Sequence, residues 1–168
     1  MDCDYNLAMT RSQLTHLDES GQARMVDVSA KPDSERTAIA GGEVHLRPET
    51  VELIRQGLMK KGDVLTVAKI AGIMGAKRTS ELIPLCHPIA LNQVQVELRL
   101  EDALPGVAIT ASARTTGKTG VEMEALTAVA VAALTVYDMV KAVDRAARIH
   151  NIRLIEKRGG QSGDVRNE

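Results

Sequence analysis

The chain has 168 residues, a formal net charge of −1 and 26% charged residues. That length suits one domain with a sizeable core, and the near-neutral charge argues against a generic nucleic-acid binder or an acidic tail protein. Aromatics are reduced to two Tyr, with no Phe and no Trp, so the core must be built from Ala, Val, Leu, Ile and Met, and aromatic base-stacking platforms are excluded. Cys3 and Cys86 stand far apart without a CxxC, which fits a reduced cytoplasmic protein and argues against a disulfide scaffold or a structural zinc site. The start, MDCDYNLAMT, has no signal pattern. No apolar stretch approaches the roughly 20 residues that span a bilayer, so neither membrane nor nucleic acid is an expected partner.

In chain order, residues 1 to about 24 read as a mobile leader. Met25–Ala30 has a short β-like pattern, and the segment from Lys31 to Glu43, with Pro32 and the Gly41–Gly42 pair, reads as a long loop or partly mobile arm. EVHLR is a short strand. Pro48 then opens a helix whose apolar stripe is Val51, Ile54 and Leu58, with Gly62 as its stop. Asp63 is placed to cap a second helix, VLTVAKIAGIMGAKR, which is apolar on most sides and so expected to be buried. Ala71, Gly72, Gly75 and Ala76 would admit another backbone closely. Pro84 and Pro88 end the helical pattern. VQVELRL and VAITASAR alternate apolar and polar residues and predict an antiparallel hairpin. A long helix follows from Gly120, then a strand NIRLIEK, then a Gly-rich tail read as mobile. The order β, α, α, β, β, α, β predicts an α+β sandwich, with the ferredoxin-like split βαβ pattern as the nearest simple match.

The stretch RTTGKTGVEMEALTA contains GKT, the tail of a phosphate loop. The loop needs a glycine five positions before Gly117, but position 112 is Ser, so the phosphate-loop reading fails. Thr119 followed by Glu122 fits a capping box. Glu124 and Asp138 are 14 residues apart on the long helix. That is 1400°, within about 40° of whole turns, so they share a stripe but lie roughly 21 Å apart. Acids on the packed side of an Ala-rich helix are costly unless paired or used. One helix cannot bring both to one small molecule, so a functional role for both predicts a second copy, most simply across a two-fold axis. Asp138 and Lys141 are spaced to pair on the helix surface.

LIPLCHP fixes Cys86 and His87 between two prolines. His87 is a candidate acid/base or phosphate ligand, and equally a hydrogen-bonded structural histidine. Adjacent Cys and His rarely share a metal, and His16, His45 and His150 show no ligand spacing, so no metal site is expected. Lysines and arginines at element ends, including Lys60–Lys61, Lys77–Arg78, Arg114, Lys118, Lys141 and Lys157–Arg158, sit beside Gly-rich turns that favour anions. Together these residues point to a small anionic substrate and acid/base chemistry.

The segments MVDVSAK, KGDV, AKIAGIMGAKRTSELIPLCHP, TGKTGVEMEALTAVAVAALTVYDMVKAVD and KRGGQSGD closely resemble the molybdenum cofactor biosynthesis protein C family, the cyclic pyranopterin monophosphate synthases. The resemblance covers residues 12–164 as one domain, with 1–11 as a leader and 165–168 as a tail. It implies a ferredoxin-like fold, a homohexamer built as a trimer of dimers with sites at dimer interfaces, and no cofactor. The implied reaction is conversion of (8S)-3',8-cyclo-7,8-dihydro-GTP, supplied by an upstream radical enzyme, to cyclic pyranopterin monophosphate with release of pyrophosphate. The implied catalytic residues are Asp138, Lys141, Lys61 and His87. Leu85, Cys86, His87, Glu122, Met123 and Glu124 are implied to bind substrate, with Arg36 in the arm and Lys157 as secondary contacts. In this assignment Asp138 and Lys141 are the acid/base pair, with the lysine tuned by desolvation and a neighbouring acid. Lys61 and His87 hold the triphosphate. Gln161 departs from the family, where lysine is common. The rival from another class is a non-catalytic oligomeric module that binds a nucleotide or other anion. It accounts for the basic element ends but not for two acids and a lysine on the long helix.

Overall fold

A computed structural model describes residues 22, 24–103, 105–161 and 163–168. Most of the leader, with Cys3 and His16, lies outside the described residues. The elements are β1 (Ser34–His45), α1 (Pro48–Arg55), α2 (Val64–Ala76), α3 (Thr79–Leu82), β2 (Gln93–Glu101), β3 (Gly106–Gly117), α4 (Glu122–Val140), β4 (Arg148–Arg158) and β5 (Val165–Arg166). The five strands form one antiparallel sheet in the order β2-β3-β1-β4-β5. Its first four strands have the ferredoxin-like arrangement, and α2 and α4 pack side by side on one face.

The predicted hairpin β2–β3 forms, and its register sets the alternating apolar residues against one another, with Val96 opposite Ala111 and Leu98 opposite Ile109. Pro48 opens α1 and the Asp63 carboxylate caps α2 by accepting the Thr66 N–H at 3.0 Å. Small residues bring α2 and α4 together. A Cβ on Gly72 would lie 2.8 Å from the Ala128 carbonyl oxygen, and one on Gly75 would lie 2.7 Å from Val131 Cγ2. The largest fully buried side chains are Ile, Val and Thr, so the core is shallow and the layers lie close.

Several expectations are corrected. Residues 34–42 are strand, not loop, and Arg36 belongs to the sheet rather than to an arm. The Gly41–Gly42 pair permits close packing instead of making a turn. A Cβ on Gly42 would stand 2.6 Å from Val129 Cγ1 of α4, and one on Gly41 would stand 2.9 Å from Ile155 Cδ1 of β4. Met25–Ala30 makes no strand. Helix α1 ends at Arg55, before Gly57 at φ 68°, and Gly62 belongs to the turn beyond. Met59 is buried there while Leu58 is exposed. Helix α2 is not buried all round: Val67, Ile70 and Met74 face outward. The tail pairs with β4 through β5. By length and composition α4 is long and apolar enough to cross a bilayer, but it is the core helix here, with 56% of that span buried.

Candidate active site

The loop after α3 carries Leu85, Cys86 and His87 to the N-terminal end of α4. The Cys86 N–H donates to the Ile83 carbonyl at 3.1 Å, and His87 Nε2 lies 2.8 Å from the Val26 carbonyl oxygen. A carbonyl only accepts, so this contact requires the proton on Nε2. These residues, with Met123 and Glu124, line a cleft of about 400 Å³. Glu124 is 3% exposed and its Oε2 has no hydrogen-bond partner. Burial, reinforced by the charge of Glu122, pushes its carboxyl up. The Cys86 thiol is likewise pushed up by burial and by Glu124. A desolvated carboxyl in an open cleft is suited to take or give a proton, or to accept N–H groups from a ligand.

A second cleft of about 290 Å³ adjoins the first and shares Lys31, Thr119, Gly120 and Glu122 with it. Its walls are basic: Lys31, Arg36, Lys118, Lys157 and Arg158. Arg36 reaches it from β1, with Nε donating to the Gly117 carbonyl at 2.9 Å. Lys118 donates to the Ser29 carbonyl at 2.6 Å. Gly159 and Gly160 have φ near 85°, and a Cβ on Gly160 would meet an Arg36 guanidinium nitrogen at 2.2 Å. Glycine there lets the chain pass over Arg36 and carry Gln161 to the cleft wall. The expected capping box is absent. Val121 is the N-cap without a side-chain bond, and Glu122 instead meets Lys157 at 3.1 Å, because β4 brings a cation to it.

The opposite end of α4 carries the other three residues. Lys61 Nζ lies 2.7 Å from one Asp138 carboxylate oxygen and 2.8 Å from the Asp138 carbonyl. Lys141 Nζ lies 2.8 Å from the other carboxylate oxygen. Hydrogen bonds from Lys141 and then Lys61 hold the Asp138 carboxyl down at about 2, and Asp138 holds the Lys141 ammonium above its ordinary value. All three side chains are about half exposed. Asp138 is therefore not on the packed side of α4, and Lys141 is not desolvated within the single chain. Tyr137, half-buried, precedes the pair.

The fold thus gathers Arg36, Leu85, Cys86, His87, Glu122, Met123, Glu124 and Lys157 at one end of α4, and Lys61, Asp138 and Lys141 at the other. Lys61 and His87 do not converge within one chain. Sequence reasoning names Lys118 only among the cations beside turns that favour anions, and Lys31 only as part of the arm; neither is assigned to the site. Among the described residues, no group of three His, Cys, Asp or Glu is arranged to hold a metal ion.

Residues 25–160 match the MoaC family. The chain is 62% identical over 157 residues to a cyclic pyranopterin monophosphate synthase of Thermomicrobium roseum, covering 94% of this chain and 95% of that protein. It is 62% identical over 157 residues to the protein of that name in Roseiflexus sp. strain RS-1, covering 94% and 99%. It is also 63% identical over 152 residues to the one in Methylobacterium sp. strain 4-46, covering 90% and 95%. With its ferredoxin-like sheet and the acids and lysines of the long helix in place, the chain belongs to the MoaC family.

Proposed function

We propose that the chain is a cyclic pyranopterin monophosphate synthase of molybdenum cofactor biosynthesis. It would convert (8S)-3',8-cyclo-7,8-dihydro-GTP to cyclic pyranopterin monophosphate and pyrophosphate. The observation that carries the reading is 62% identity to synthases of that name over almost the whole chain. The geometry supports it: a cleft with a buried Glu124, whose Oε2 has no hydrogen-bond partner, adjoins a basic cleft, which suits a ring system bearing phosphates.

The ring part of the substrate would lie against Leu85, Cys86, Met123 and Glu124, with Glu122 and Glu124 engaging its N–H edge and relaying protons. Arg36 and Lys157 would neutralise phosphate charge, and His87 would add a donor to it only as the imidazolium, with Nδ1–H on the phosphate and Nε2–H kept on the Val26 carbonyl. Lys61, Asp138 and Lys141 would come from a second copy, with Asp138 and Lys141 as the acid/base pair. The rise of α4 between Glu124 and Asp138 supports this, because one chain cannot bring both ends to one ligand. We read the assembly as a homohexamer, a trimer of dimers, working in the cytoplasm on substrate from a radical enzyme, and residues 12–164 as its single domain.

The test is subunit complementation. Glu124→Gln and Asp138→Asn chains are each expected to be inactive in pyrophosphate release. Equal mixing after unfolding and refolding together should restore about a quarter of wild-type activity, because half of random two-fold pairs regain one intact site. No recovery in a properly mixed assembly would overturn the shared site. Absence of pyrophosphate from the wild type would overturn the activity itself and favour a binding module.

A further inference from the structure

Asp144 is a buried charge outside the residues assigned above. It is 0% exposed and follows Lys141 by three residues, in the turn that ends α4. Its Oδ2 accepts the Arg47 backbone N–H at 2.8 Å, and its Oδ1 accepts the Ala146 N–H at 3.1 Å. The Thr50 hydroxyl also donates to it, and Arg47 Nε lies 3.4 Å from Oδ1. Burial pushes this carboxyl up, but the bonds from Arg47, Thr50 and Ala146, with the Arg47 charge, hold it below the usual carboxylate range. The Arg47 guanidinium also donates to the Val143 carbonyl. Arg47 and Thr50 are the N-cap and first turn of α1, which has no cap from its own N-cap side chain. Asp144 thus supplies the anion at the start of α1 from 97 residues away.

The chain from α1 to Lys61 is not slack. The Leu58 N–H donates to the Leu53 carbonyl at 3.0 Å, Met59 is buried, and the Gly62 N–H donates to the Met59 carbonyl at 3.0 Å. Where α1 sits therefore decides where Lys61 sits. Asp138 and Lys141 are on the other segment that Asp144 joins. A buried, charged carboxylate is no better for stability than an apolar side chain of similar volume, so its use as a tie between two site-bearing segments needs a separate account.

We propose that Asp144 is a positioning residue: its carboxylate ties the start of α1 to the turn ending α4, and the hydrogen-bonded run through Met59 delivers the Lys61 ammonium to Asp138. This rests on the reading of Lys61, Asp138 and Lys141 as one end of the active site. Its closing experiment does not depend on turnover.

The experiment compares acylation of individual lysines by limiting acetic anhydride at neutral pH in the full assembled chain, read by peptide mass spectrometry. In the wild type, Lys61 and Lys141 should label about threefold or more slowly than exposed Lys60, because each donates to Asp138. In Asp144→Asn, Lys61 should label as fast as Lys60 while Lys141 stays slow, since Lys141 reaches Asp138 along its own helix. The kcat should fall about 10- to 100-fold with little change in KM, as expected when a group is displaced by about an ångström. Lys61 remaining protected in the folded variant would overturn the proposal, and so would equal release of Lys61 and Lys141, which is general loosening. If Asp144→Asn does not fold, Thr50→Val removes one donor with the charge intact, and the same two outcomes decide. A wild type that releases no pyrophosphate would overturn the functional reading but leave the labelling result to judge the tie.

Discussion

Replacing Glu124 by Gln should stabilise the fold while abolishing its chemistry. The side chain is 3% exposed and Oε2 has no partner, so the ionised form is desolvated with only a backbone hydrogen bond to offset it. An unsatisfied buried polar group costs about 1–3 kcal/mol. The amide leaves part of that cost in place and removes the charge, so a net gain of about 1 kcal/mol is expected at pH 8. In a domain of this size that is a rise in Tm of roughly 2–4 °C. The pH dependence fixes the sign. Burial raises the folded-state pKa of Glu124 above its ordinary 4.5. Its protonated form therefore favours the native state, and that advantage is lost as pH rises through the folded-state value. The gain from Gln should thus be absent at pH 4 and complete at pH 8. The assay is thermal unfolding of both proteins at both pH values and one protein concentration, with pyrophosphate release measured alongside. A loss of stability at pH 8, or an equal gain at both pH values, would refute the argument.

The remaining predictions concern the other end of α4 and the sheet. Asp138 is depressed to about 2, so its ion pairs are complete above about pH 4 and are lost only as pH falls through 2. Any acidic limb of the pH–rate profile above pH 5 must therefore belong to another group, and its midpoint should fall in Glu122→Gln, which removes a neighbouring charge that raises Glu124, as a kcat/KM profile would show. Gly42→Ala places a carbon 2.6 Å from Val129 Cγ1 and should cost about 1–3 kcal/mol by overpacking. Adding Val129→Ala should recover part of that loss, and a double-mutant cycle with no coupling would contradict the contact.

Legibility in the sequence followed how local each signal is. Strands β2 and β3 were readable because alternation has a period of two and one face is wet. Most of strand β1 was not: only its end, in EVHLR, read as strand, because a Gly pair reads as a breaker unless Val129 and Ile155 are known to press on it. The helix spacing placed Glu124 and Asp138 at opposite ends of α4, but put both on the packed stripe. The drift of about 40° carries position 138 outward, while Val136, Met139 and Val140 stay buried. The capping box failed because Lys157, on a strand 35 residues later in the chain, competes for Glu122. Lys31 looks like an ordinary surface lysine, and Lys118 like one of several cations beside turns, until the fold sets both beside Arg36. The family resemblance supplied the candidate residues. The fold divides those candidates between the two ends of α4.

The near-absence of aromatic side chains has an optical consequence. With no Trp and no Phe, the chain's near-ultraviolet absorption and emission come from Tyr5 and Tyr137. Tyr137 adjoins Asp138 on α4 and lies one turn from Lys141. The protein therefore carries a built-in fluorophore at the Lys61–Asp138–Lys141 end. It also leaves an almost clear window in which a conjugated ring bound at the Glu124 end absorbs alone. Where two copies join the two ends of the helix in one site, ligand absorption and Tyr137 emission would report the same event in unlabelled protein, with Tyr5 as a second emitter.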